Sequence, residues 1–99
     1  MFHLGAQYFV TDTNLLCSDL GMEIINDVDS CQRAVSILPN ERIFYMYIGK
    51  VNAEDQPKGC FSWPAMGRVH FNTHKTGNRN LQSSHMCIVP AGRNIYFNL

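Results

Sequence analysis

The order of apolar and polar positions along the chain reads as short strands interrupted by one helix. Within Gln7 to Thr11, Tyr8, Phe9 and Val10 are good strand formers, and Asp12, Thr13 and Asn14 then supply turn chemistry on the way to Cys17. A loop through Asp19 and Gly21, then Ile24 and Ile25, leads to a helix start. Asn26 reads as the N-cap, because its side-chain oxygen can accept from a free backbone amide, and Asp27 and Asp29 suit the positive end of the helix dipole. Val28, Cys31, Ala34, Val35 and Leu38 then recur at three- and four-residue steps, which makes one face of a helix with Cys31 aimed at the core. Pro39 disfavours helical geometry at Leu38 and ends the element.

After a polar connection, Asn40 to Arg42, the run Ile43 to Ile48 is short, apolar and bounded by Pro39 and Gly49, so it reads as a central strand covered on both faces. Lys50 to Lys58 is polar and reads as a surface loop. Gly59 to Trp63 and Arg68 to Thr73 then flank Pro64, Ala65, Met66 and Gly67, a four-residue turn of a β-hairpin. If Trp63 faces Arg68, Cys60 opposes Phe71 and shares a face with Val69 and Phe71, while Phe61, Trp63, Arg68 and His70 lie on the other. A slip of one residue would exchange the faces. This register predicts that the apolar face bearing Cys60 lies under the helix, which brings Cys60 towards Cys31. His74 to Ser84 is a polar loop, and Met86, Cys87, Ile88 and Val89 form a last core strand stopped by Pro90 and Gly92. Alternation over Asn94 to Leu99 fits one more strand.

Composition narrows the class. Ninety-nine residues make one domain, whose core alone gives modest stability, so covalent staples would help. Eight basic against eight acidic residues leave no net charge, which removes the usual electrostatic argument for nucleic acid or an anionic membrane, and neither partner is expected. No apolar run approaches the roughly 18 residues of a membrane span, so a soluble chain without membrane insertion is expected. The start, MFHLGAQYFV, lacks the features of a signal peptide, and Met1 reads as an artefact or as the residue following a processed leader.

Cys17, Cys31, Cys60 and Cys87 are an even number, widely spread, with no C-x-x-C pair. That pattern suits two disulfides better than zinc or a redox dithiol, although three connectivities are formally open and four reduced core cysteines are the plain alternative.

The succession of Cys17, GMEIINDVDSCQRAV with Cys31 at a helix start, PKGCF, VHFNTHKTG and MCIV resembles a cysteine-containing extracellular module. Such modules occur, often in tandem, in secreted or surface proteins of aquatic protists, algae and invertebrates, and the pattern is distantly similar to PAN/apple modules. The resemblance covers roughly Tyr8 to Val89, its most specific pieces being Gly59 with Cys60 and the run Phe71 to His74. It implies an α+β fold, a small antiparallel sheet with one helix packed across it, and an extracellular, non-enzymatic role. It also implies a nested pairing, Cys31 to Cys60 and Cys17 to Cys87, of which the hairpin geometry independently supports the first bridge only. Each bridge could contribute about 3 to 4 kcal/mol. The unusually apolar Ile43 to Ile48 and the ends, 1–7 and 91–99, depart from the pattern, and both departures point to assembly.

No reaction chemistry stands out. His70, His74 and His85 with two cysteines allow a zinc site to be drawn, but His70 and His74 would not share a face on a strand leaving for a loop, and no metal or cofactor is expected. Cys60 held in a bridge cannot act as a nucleophile with His70, and Glu54 and Asp55 lack a buried partner to raise one pKa. No glycosylation sequon is present, since Asn72, Thr73, His74 fails at its third position. Two functions remain. A structural subunit would associate with copies of itself or with tandem neighbours through its extended apolar ends, with Phe9, Ile95, Tyr96, Phe97 and Leu99 as contacts. The alternative is a ligand-binding module, for glycans in the first place, that uses Phe61, Trp63, Arg68 and His70 with Asn72 at the edge. The balance leans slightly to assembly, because extended apolar ends need a partner surface.

Overall fold

The computed structural model describes residues 5–38 and 45–92. The elements are β1 (Gln7–Val10), a 3₁₀ turn (Cys17–Leu20), β2 (Glu23–Ile24), α1 (Val28–Ile37), β3 (Met46–Val51), β4 (Gly59–Trp63), β5 (Arg68–Asn72) and β6 (Ser84–Val89). The strands form one sheet in the order β1-β6-β4-β5-β3, with β2 also on β6. Helix α1 packs across it, and two disulfides, Cys31–Cys60 and Cys17–Cys87, tie the chain down. The α+β architecture and both bridges are those expected. The sheet is mixed rather than wholly antiparallel, because β3 runs parallel to β5.

The hairpin register is the expected one, with Trp63 opposite Arg68, Ser62 opposite Val69 and Cys60 opposite Phe71. Alternation therefore sends Cys60, Val69 and Phe71 to one face. There Cys60 and Val69 join Tyr8, Ile25, Cys31, Ala34 and Met86 in the core, with Phe71, Val35, Leu38 and Tyr47 packed against it. Each fully buried aliphatic side chain in such a core contributes about 1.5 to 3 kcal/mol. The helix starts one residue later than expected. Asp27, not Asn26, is the N-cap, with its carboxylate accepting from the Ser30 amide at 2.7 Å.

Three further expectations are corrected. The apolar run before Gly49 is not a central strand covered on both faces. The strand there is Met46–Val51, at the edge of the described sheet order, with Met46 and Ile48 exposed while Tyr47 turns to the core. The strand runs on through Gly49 and Lys50, into what read as loop, because Gly49, Lys50 and Val51 pair with His70, Phe71 and Asn72 of β5. Strand β5 ends at Asn72, one residue early. Strand β6 begins at Ser84, ahead of Met86, because Ser84 and His85, polar in sequence, are buried and pair with β4. Residues 39–44, with the Pro39 stop and the start of the apolar run, and the expected terminal strand Asn94 to Leu99 lie outside the described residues.

Two glycines fix close approaches. Gly59 has a φ of 78°, and a Cβ there would sit 2.5 Å from the Ile25 carbonyl oxygen, so only glycine lets β4 start against the segment leading into α1. Gly77, at φ 60°, would likewise drive a Cβ to 2.6 Å from both Gln56 O and Lys58 N, so it seats its loop on the 52–58 loop.

Candidate ligand cleft at the hairpin tip

The face of the sheet opposite α1 carries Phe61 and Trp63 from β4, Arg68, His70 and Asn72 from β5, and His85 from β6, since Phe61 pairs with both His70 and His85. The 52–58 loop is held against this face through side chains that alternation points outward from the helix. The Asn72 carboxamide spends all its capacity on backbone. Its oxygen accepts from Ala53 N–H (2.9 Å) and His74 N–H (3.1 Å), and its nitrogen donates to the carbonyls of Ala53, Gln56 and Pro57 at 2.8 to 3.0 Å.

His85 is the second clamp. Its Nδ1 accepts from the Cys17 amide at 3.0 Å, so the ring proton resides on Nε2, which donates to the Lys58 carbonyl at 2.6 Å. The sulfurs of Cys17 and Cys87 lie within 4.8 Å of a His85 ring nitrogen, but they are bonded to each other and both ring nitrogens are engaged. This trio is therefore structural. Burial holds the imidazole below the usual histidine range, against the opposing pull of the Lys58 carbonyl and the Asp19 carboxylate. A histidine so depressed is protonated first in the unfolded chain, at about pH 6.5. Its contribution to stability is complete above that pH and is lost as the pH falls below it, with a slope of at most about 1.4 kcal/mol per pH unit. Urea unfolding on either side of that pH should show the slope in the native chain and not in His85→Gln.

Of the residues proposed for ligand contact, Phe61, His70 and Asn72 are buried, Trp63 is half-buried and Arg68 is exposed. The rings do cluster. Trp63 and His70 centroids are 4.7 Å apart, Phe61 and Trp63 5.7 Å, and Phe61 and His70 5.8 Å. His70 is 7% exposed, and neither ring nitrogen has a hydrogen-bond partner among the described residues. Each buried unpaired nitrogen costs about 1 to 3 kcal/mol, against about 0.5 to 1.5 kcal/mol for each aromatic contact. His70→Leu, similar in volume and without the nitrogens, is therefore expected to raise the unfolding free energy by about 1 kcal/mol. The denaturation midpoint reads the change directly.

Where Trp63 reaches the hairpin tip, a cleft of about 540 Å³ opens. Trp63, Pro64 and Met66 supply its apolar lining, and Thr13, Gln56 and Gln82 its polar groups. The Trp63 indole N–H donates to Gln56 Oε1 at 3.3 Å, and the same oxygen accepts from the Ser83 hydroxyl. That anchor fixes the indole plane. A second cleft of about 620 Å³ adjoins, sharing Thr13 and Pro64 with the first. Sequence reading found Trp63 but not Thr13, Gln56, Met66 or Gln82, which come from separate turns and loops without a common motif.

Of the residues proposed for assembly, Phe9 is half-buried on β1 opposite Cys87. Ile95, Tyr96, Phe97 and Leu99 lie outside the described residues. Two disulfides, and the lack of any described helix long and apolar enough to cross a membrane, are compatible with a secreted protein. Comparison of the chain with family models, with curated proteins and with solved structures finds no match in any of the three.

Proposed function

We propose that this chain is an extracellular, non-enzymatic binding module whose disulfide-tied sheet presents the Trp63 cleft to a carbohydrate. One observation carries the reading. A half-buried indole, locked through its N–H to Gln56, borders a cleft whose polar groups are all uncharged. Aromatic faces stack on the apolar faces of sugar rings while hydroxyl and amide groups fix orientation. The test is a glycan array probed with the native chain and with Trp63→Ala. Trp63-dependent binding supports the reading, and an unchanged binding pattern sinks it.

A second reading, self-association into a filament or matrix, is favoured by β3, the edge of the sheet among the described residues, with its exposed Met46 and Ile48. Against it, the same strand carries a register irregularity between Tyr47 and Gly49 and an exposed Lys50, devices that discourage edge pairing. Light scattering on chains with and without Asn94 to Leu99 decides, since a monomer in both cases removes assembly.

A further inference from the structure

We infer that the Trp63 cleft is one end of a longer track, which takes several consecutive units of a neutral, linear saccharide. The inference rests on the carbohydrate reading above and adds the class and length of its ligand.

Each cleft alone has the volume of a small-molecule site. Because Thr13 and Pro64 line both, the two clefts adjoin, and a chain leaving the Trp63 end has only these two residues to cross to reach the neighbouring space. That space offers its own ring surfaces, Tyr45 and Phe9, both half-buried. A ligand made of repeating rings with apolar faces thus meets an aromatic side chain in each half.

Charge selects among chain ligands. Among the described residues neither cleft is lined by a Lys, Arg or His, and the one carboxylate is that of Asp12 in the second. Arg68, although paired with Trp63 in the sheet, lines neither. A sulfated or uronic chain would find no cation among these lining residues and would face a carboxylate, whereas hydroxyl groups can both donate to Asp12 and exchange hydrogen bonds with Thr13, Gln56 and Gln82. A proline-rich peptide also suits aromatic grooves, but it presents carbonyl acceptors and so needs donors. The Trp63 indole N–H is already spent on Gln56, which leaves such a peptide the Thr13 hydroxyl and the glutamine amides, and a polyproline stretch has no N–H or O–H of its own to give Asp12.

The test is titration calorimetry of the full chain with cello-, laminari-, xylo- and manno-oligosaccharides, from disaccharide to octasaccharide, with decaproline as the peptide probe. In at least one series, affinity should rise with length by about tenfold and then level off, the gain expected of one added ring stack with its polar contacts. Tyr45→Ala should remove that gain and leave the disaccharide unaffected, while Trp63→Ala should weaken every length. Tyr45 also touches the core, so Asp12→Arg, an exposed position whose larger side chain crowds the second cleft alone, serves as a second variant. Affinity independent of length, or equal losses at all lengths in both variants, overturns the track while leaving the Trp63 site standing. Decaproline binding that competes with the sugars overturns the ligand class, and failure of every series to bind in a Trp63-dependent way overturns the carbohydrate reading itself.

Discussion

Replacing Cys17 and Cys87 together by alanine is expected to lower the unfolding free energy by about 4 kcal/mol, the loop-closure value for their separation of 70 residues. The inner bridge, Cys31–Cys60, spans 29 residues and shortens the loop the outer one must close, but the dependence is logarithmic and trims the estimate by only about 0.5 kcal/mol. Both outer cysteines are fully buried, so truncation adds a packing loss to the entropic one. For a domain of this size the total is a large part of a stability of about 5 to 15 kcal/mol. Equilibrium urea unfolding measures it. A loss below about 1 kcal/mol would mean that the 3₁₀ turn and β1 are held to β6 by their hydrogen bonds and packing, with little help from the bridge.

Asn72→Asp should be nearly as damaging, although it changes one atom's chemistry and almost no volume. The substituted group would turn an oxygen towards the carbonyls of Ala53, Gln56 and Pro57, where the amide nitrogen now donates. The cost is the loss of those hydrogen bonds plus an uncompensated charge at a position 1% exposed, about 3 kcal/mol or more. In a domain of this length that corresponds to a fall in Tm of roughly 12 °C or more. Gln56, the anchor of the indole, rides on the same loop. The variant should therefore alter Trp63 fluorescence before global unfolding. An unchanged emission together with a lowered Tm would uncouple the loop from the cleft.

These cases show where sequence was informative. The hairpin was legible because a turn of fixed length, Pro64 to Gly67, dictates register, and register dictates which face Cys60 takes. The helix was legible because Cys31, Ala34, Val35 and Leu38 repeat with its period. Strand β3 was misjudged because an apolar run looks alike whether one face or both are covered, and Gly49 looked like a stop where the edge simply continues. Asn72 looked like a polar residue at the rim of a binding face. Its use as a clamp depends on three backbone carbonyls brought to it by a loop 15 to 19 residues upstream, which no local pattern encodes. The cleft was invisible for the same reason, since Thr13, Gln56 and Gln82 meet only after three separate connections have folded.

Strand β6 pairs with β1, β2 and β4, yet it is the last strand of the described chain to be synthesised. Strands β1 and β2 thus have no strand to pair with until residues 84–89 have emerged. At ribosomal rates of about 5 to 20 residues per second, Cys17 waits about 4 to 14 s for Cys87, while Cys31 and Cys60 both appear in the interval. During that wait the nearest thiol along the chain is the wrong one, and a premature Cys17–Cys31 link would hold the helix off the hairpin. Where that pair forms first, thiol–disulfide exchange has to undo it once β6 arrives, and yield is then expected to follow isomerase supply more closely than oxidant supply.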